Sequence, residues 1–317
     1  MPTASPRLLL LDSASLYFRA FFGVPEVVGP SGTPTNAVRG FLDMIASLVE
    51  RGRPTHLAAC WDNDWRPAFR VEAIPSYKAH RVAEGGDEQL NGETVPDALS
   101  VQVPLIVDAL AALGIARVGA DGYEADDVIG TLTHRFSGRM PVDVVTGDRD
   151  LFQLVDDAND VRVVYTAKGG VRAPDLVDEA FLAERYGIPN GPAYADMAAL
   201  RGDTSDGLPG VAGIGEKTAA KLITTYGSLA AVRTAIADGD PNLKGAQRAR
   251  LEAASDYLDV APRVVAVAHD AQMDTATGDD DLALPTAVAD PSLMSRLAVE
   301  HGLTSSFDRV LSALRIG

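Results

Sequence analysis

The chain has 317 residues, 46% of them hydrophobic, a single cysteine and a formal charge of −16. That length suits one large domain or two unequal ones, and no apolar run approaches the length of a membrane span. An acidic excess of this size argues against a polyanionic partner, unless many acids bind metal and the basic residues cluster on one face.

The N-terminus lacks a charged region followed by an apolar stretch and a cleavage site, so no secretory signal is expected. Cys60 alone excludes an internal disulfide and fits a reducing cytoplasm. The five histidines (His56, His80, His134, His269, His301) show no zinc-ligand spacing.

In chain order, Arg7–Asp12 reads as a fully buried strand ending on an acid, and Ser13–Arg19 as the start of a helix. Thr55–Trp61 is a second strand followed by Asp62. Val142–Thr146 is a third, followed by Gly147-Asp148-Arg149-Asp150. Helical patterns cover 36–50, 101–113 and 126–136. Strands alternating with helices imply an α/β core with a mostly parallel sheet flanked by helices. Functional groups collect beyond the carboxyl ends of such strands, where Asp12, Asp62, Asp148 and Asp150 fall.

Gly122-Tyr123-Glu124-Ala125-Asp126-Asp127 places three more acids on the same rim, at a helix start. Capping and dipole compensation explain one or two acids there, not three. Asp203 and Asp206 follow in a turn-rich segment. Nine converging carboxylates repel one another unless some bind protons or cations. Oxygen-only donors favour two Mg²⁺ or Mn²⁺ ions, which would clamp a phosphodiester for attack by water.

Arg66, Arg70, Lys78 and Arg81 supply positive charge just after Asp62, and Tyr77 offers a ring for stacking on an unpaired base. Residues 83–97 are polar, glycine-rich and acidic, and read as a mobile connection. Beyond residue 185 the pattern turns helical. Gly210, Gly213 and Gly215 form a tight turn before a helix, with Lys217, Thr218 and Lys221 beside it. Such a turn exposes N–H groups to a phosphate and grips a DNA backbone without reading bases. Lys244, Arg248 and Arg250 mark a second basic helix. Residues 258–268 and the helical tail 291–315 carry no evident chemistry.

These motifs, in this order, resemble the bacterial 5′ nuclease family, which includes the flap endonucleases and the N-terminal domain of DNA polymerase I. The matching stretches are Leu11-Asp12, Trp61-Asp62, Phe69–Glu72, Tyr77–Ala79, Gly122–Asp127, Thr146–Asp150, Gly202–Asp206 and Leu208–Ala219. The resemblance implies a PIN-like core over 1–185, with an arch at about 78–103. A helix-three-turn-helix module over 186–270 and a tail, 271–317, packing back on the core would follow. It implies that Asp12, Asp62, Glu124, Asp126, Asp127, Asp148, Asp150, Asp203 and Asp206 hold the metals. Lys78 and Arg81 would bind the scissile phosphate, Tyr77 would support the displaced base, and Arg19 and Arg70 would hold backbone phosphates. The glycine turn would hold duplex phosphates and a K⁺ ion.

The implied protein is a free-standing structure-specific 5′ nuclease, a cytoplasmic, nucleoid-associated monomer without membrane contact. Its substrates would be DNA with a 5′ flap, nick or 5′ end, cut to leave 5′-phosphate and 3′-hydroxyl ends. The alternatives are a non-catalytic DNA-junction binder and a PIN-type ribonuclease. An aspartyl-nucleophile phosphatase is disfavoured, because Ala14 and not an acid lies two residues after Asp12. Three positions depart from the family pattern: Ser13 replaces a common Gly, Gly207 replaces a frequent Asn, and the arch is acidic (Glu84, Asp87, Glu88, Glu93, Asp97).

Overall fold

Five consecutive positions of Leu8-Leu9-Leu10-Leu11-Asp12 are buried, because this strand has neighbours on both edges and layers on both faces. The computed structural model describes residues 5–82, 95–278 and 280–317. The middle of the expected arch, 83–94, with Glu84, Asp87, Glu88 and Glu93, lies outside the described residues.

Among the described residues six strands form one sheet: β1 (Leu8–Asp12), β2 (His56–Cys60), β3 (Ala116–Val118), β4 (Val142–Thr146), β5 (Val161–Tyr165) and β6 (Asp175–Val177). Their order is β3-β2-β1-β4-β5-β6; only β6 runs antiparallel to its neighbour. Strand order therefore reverses between β1 and β4, which opens a crevice beyond their carboxyl ends.

Alternation along the strands feeds two cores. Leu8, Leu10, Cys60, Val142 and Val144 face Val128, Ile129, Leu132 and Phe136 of the helix Ala125–Phe136. Leu9, Leu11, Leu57 and Val145 face the helices Asn36–Gly52 and Val103–Leu113. Cys60, at the end of β2, is fully buried.

Helices Gly191–Arg201, Glu216–Tyr226, Leu229–Ala237, Gly245–Ala253 and Ser255–Val265 extend the first core away from the sheet. Pro291–Glu300 and Thr304–Leu314 return to the other face, where Leu297, Leu303, Phe307 and Val310 enter the second core. Among the described residues no helix is long and apolar enough to cross a membrane.

Phe307 is 2% exposed, so truncating it leaves a cavity under the returning hairpin. Phe307→Ala should cost about 3–5 kcal/mol, measured as a lower urea midpoint at unchanged m-value.

Candidate active site on the carboxyl rim of the sheet

Thr146, the last residue of β4, organises the crevice. Its hydroxyl donates to Asp12 Oδ2 at 2.6 Å and accepts from the Asp148 amide at 2.8 Å. Asp12 also caps the helix Ser13–Gly23 through the Ser15 amide. The Ser15 hydroxyl accepts from the Gly147 amide at 2.8 Å, which locks the β4 turn against β1. Asp62 lies two residues past β2 and accepts from the Ala125 amide at 2.8 Å. Asp148 Oδ1 accepts from the Asp150 amide at 2.9 Å.

These elements wall a cavity of about 490 Å³. Asp12, Asp62, Glu124, Asp126, Asp148 and Asp203 line it, together with Lys78 and Arg81. Asp150 and Asp206 are not part of that lining, but each bonds to a residue that is, Asp150 to Asp148 and Asp206 to Arg81. Ser15, Phe18, Trp65, Arg149 and Tyr165 also line the cavity, and sequence reasoning gave them no role.

The acids divide by what neutralises them. Asp127 is fully buried and saturated: Arg70 reaches both its oxygens at 2.7 Å, and the amides of Ala268 and Glu124 donate to them. With Glu124 it forms a capping box at the start of the helix. Asp127 therefore leaves the expected metal set, and capping is its role. Arg70, 3% exposed, also reaches Glu124 at 3.1 Å, so it is a buried counter-charge and not a phosphate contact. Tyr77 is buried too, and its hydroxyl donates to Glu124 at 2.6 Å, which removes it as a base-stacking platform.

Lys78 pairs with the other oxygen of Glu124. Burial opposes its charge, yet the adjoining Glu124 holds its pKa well above the ordinary lysine value. Its backbone adopts φ +47°, a strained conformation for a residue with a side chain. Arg81 pairs with Asp206 at 2.8 Å.

Asp12, Asp62, Asp126, Asp148 and Asp150 have no basic partner within ion-pair distance among the described residues. Burial, reinforced by Asp62 and Asp148, pushes the Asp12 carboxyl up to about 7. Burial, with Asp148, Asp206 and Asp203, pushes Asp150 up to about 8. Burial and neighbouring acids likewise raise Asp62 and Asp126. Buried like charges of this kind fit a divalent cation, and the oxygen-only donors fit Mg²⁺ or Mn²⁺. Among the described residues no three acid, His or Cys side chains already stand as a closed ligand set.

Other expected contacts have moved. Arg19 donates to the carbonyls of Thr166 and Ala167 and borders a neighbouring groove, not the cavity. Arg66 folds its own loop, donating to Tyr77 O at 2.7 Å and Pro75 O at 3.1 Å. Arg248 is held by Glu252 at 2.7 Å and by Ile236 O at 2.9 Å.

In the glycine turn, Gly210 and Gly213 take φ +64° and +72°, and Gly215 caps the helix Glu216–Tyr226. A Cβ on Gly210 would meet Arg201 O at 2.3 Å, so only glycine fits this close approach. Gly213, Gly215, Lys217, Lys221 and Lys244 are exposed, and Thr218 is half-buried. Arg250 donates to Gly213 O at 3.2 Å, placing a cation against the turn. Gly207 has φ +70°, and a Cβ there would meet Ser76 O at 2.1 Å, which accounts for the glycine at this position.

A family model described as the N-terminal resolvase-like domain of 5′-3′ exonucleases matches residues 7–187. The chain belongs to the 5′-3′ exonuclease family. A second model, the C-terminal SAM fold of the same exonucleases, matches residues 190–287. A 5′-3′ exonuclease of Streptomyces coelicolor is 58% identical over 96% of this chain and 99% of its own length. The DNA polymerase I of Mycobacterium bovis is 44% identical over 71% of this chain and 24% of its own. A bacteriophage T5 flap endonuclease, solved with DNA and metal ions, shares the fold: TM-score 0.60 and 17% identity, covering 98% of this chain and 99% of that one.

Two outcomes follow from these charges. Arg70→Gln should cost about 3–5 kcal/mol in urea unfolding, because Asp127 and Glu124 would stay buried with reduced compensation. Weaker duplex binding at unchanged stability would return Arg70 to the phosphate contacts. The second concerns pH. A carboxyl raised on folding keeps its proton where the unfolded chain, near 3.8, has lost it. Its contribution is most favourable below that value and declines as pH climbs to about 7 for Asp12 and about 8 for Asp150. The melting temperature of EDTA-treated protein should therefore fall between pH 5 and 8, with Mn²⁺ restoring most at pH 8. A flat profile with no response to Mn²⁺ would contradict the charge assignment.

Proposed function

We propose that the chain is a structure-specific 5′ nuclease, a 5′-3′ exonuclease and flap endonuclease that hydrolyses DNA phosphodiesters in replication and repair. The observation that carries this reading is the set of five carboxylates without basic partners among the described residues (Asp12 buried, Asp62, Asp126 and Asp150 half-buried, Asp148 exposed) on the open rim of a parallel sheet beside Lys78 and Arg81. Asp12, Asp62, Asp126, Asp148 and Asp150 would hold divalent ions, together with Asp203 and Asp206. Mg²⁺ or Mn²⁺ bound there would supply Lewis acidity and an activated water.

The chain's own groups orient the substrate. Lys78 and Arg81 face the cavity and can meet the scissile phosphate, stabilising charge that develops on its oxygens. Glu124 holds Lys78 in place, and Asp206 holds Arg81. Half-buried Phe18 gives the cavity an apolar wall on which a base can stack. The glycine turn with Lys217, Thr218, Lys221 and Lys244 would hold duplex phosphates by backbone N–H groups and the helix dipole. The Gly210–Gly215 turn would hold a K⁺ ion, for which Arg250 at the Gly213 carbonyl would compete. Acting on DNA, the protein would work as a monomer in the cytoplasm, at the nucleoid.

A labelled DNA flap incubated with Mg²⁺ or Mn²⁺ separates this reading from a non-catalytic junction binder. An RNA strand of equal length separates it from a PIN-type ribonuclease. Asp148→Asn should lower cleavage by about a hundredfold or more while leaving flap binding in EDTA within about twofold. Undiminished cutting by that variant would reject the site assignment.

A further inference from the structure

Glu216 lies outside the ring of candidate ligands. It opens the helix behind the glycine turn, and its side chain is about one-third exposed, at 36%. Its Oε2 accepts from Arg201 Nη1 at 3.3 Å and stands 3.7 Å from Arg149 Nη1. Each arginine belongs to an acid-bearing segment. Arg149 sits between Asp148 and Asp150 and lines the cavity. Arg201 ends the helix Gly191–Arg201, and its second terminal nitrogen faces Asp203 at 3.6 Å. One carboxylate oxygen thus joins both segments to the element that presents the glycine turn.

The two arginines are held differently. Arg201 is 12% exposed, donates through Nε to Gly202 O at 3.1 Å, and lies over the Tyr194 ring at 5.9 Å. Arg149 is 43% exposed and lines the cavity. A shift of the glycine-turn helix therefore bears on Asp203 through a well-covered arginine and on the Asp148–Asp150 loop through a more exposed one. Glu216 also places negative charge in the first turn of the helix whose amino end would receive a duplex phosphate. That charge opposes phosphate docking while its arginine bridges organise the acids.

We infer that Glu216 is a positioning residue, coupling duplex docking at the glycine turn to the placement of Asp148, Asp150 and Asp203. The inference rests on the nuclease reading above and adds a role to a residue outside the proposed ligand set. It requires duplex affinity and turnover to move in opposite directions when the charge is removed. A residue that only stabilised the fold would move both the same way, or neither.

Glu216→Gln tests this in the full-length protein, with a flap substrate and hydrogen exchange read side by side. The expected result is flap binding in EDTA about threefold tighter, the scale of one helix-terminal charge. The kcat should fall about tenfold. In the unsubstituted protein, flap binding should slow amide exchange in residues 148–154, and the variant should lose that protection. Glu216→Asp, which keeps the charge but shortens the reach, should bind as the unsubstituted protein does and recover only part of kcat. Parallel loss of affinity and kcat, unchanged kcat, or equal exchange protection in both proteins would each overturn the inference. If the unsubstituted protein cuts no flap, the nuclease reading fails, and the exchange comparison still decides whether Glu216 couples the two regions.

Discussion

Negative charge that the protein does not itself neutralise is the constraint on which the rest of the rim depends. Asp12, Asp62, Asp126 and Asp150 are gathered where burial disfavours ionisation, Asp148 stands beside them on the rim, and no arginine or lysine among the described residues pairs with any of the five. Leaving them so is costly unless a cation or protons arrive. Next to them stands a balanced quartet: Arg70 and Lys78 against Glu124 and Asp127. The quartet also fastens the chain around residue 70 to residues 264–268, because Arg70 donates to Val264 O and Asp127 accepts from the Ala268 amide. A neutral frame thus surrounds a charged interior.

Topology explains why the charged groups meet. The order reversal between β1 and β4 brings Asp12 and the Asp148 loop side by side, and Thr146 bonds to both. The helical module joins the same rim through Gln153. Its amide group donates to Asp150 O and Val265 O, and its carbonyl accepts from the Val267 amide. The helical module and the cavity therefore share a hydrogen-bonded seam, across which the arginine bridges of Glu216 also run.

The sequence made the frame of this fold readable because its signals were long or strongly periodic. β1, β2 and β4 are apolar runs ending near acids, and the helices around 36–50, 103–113 and 126–136 have clear apolar faces. β3 and β6 escaped notice: each is three residues long, and neither has an alternation to detect. β5, with five residues, was also passed over, although Val161, Val163 and Val164 are buried. At the site, spacing identified which acids gather on the rim and misjudged which basic residues stay free. Arg70 and Tyr77 occur in a run that looks solvent-facing, and only the partners Glu124 and Asp127, some 50 residues away, draw them inside. The capping role of Asp127 was visible as a possibility at the helix start, but the crowd of neighbouring acids concealed it. Arg149 stood in plain view within Gly-Asp-Arg-Asp, yet its partner Glu216 lies 67 residues on, and no local pattern links them.

Cys60 closes β2 beneath this rim. It is the sole cysteine of the chain, fully buried, and burial among acids pushes its thiol well above the usual range. Thiolate, the reactive form, is therefore scarce and shielded there. The native protein is in effect a silent background for sulfhydryl chemistry. A cysteine introduced on the exposed faces of the helical module can carry a spectroscopic probe without first removing the natural one, leaving the central sheet untouched.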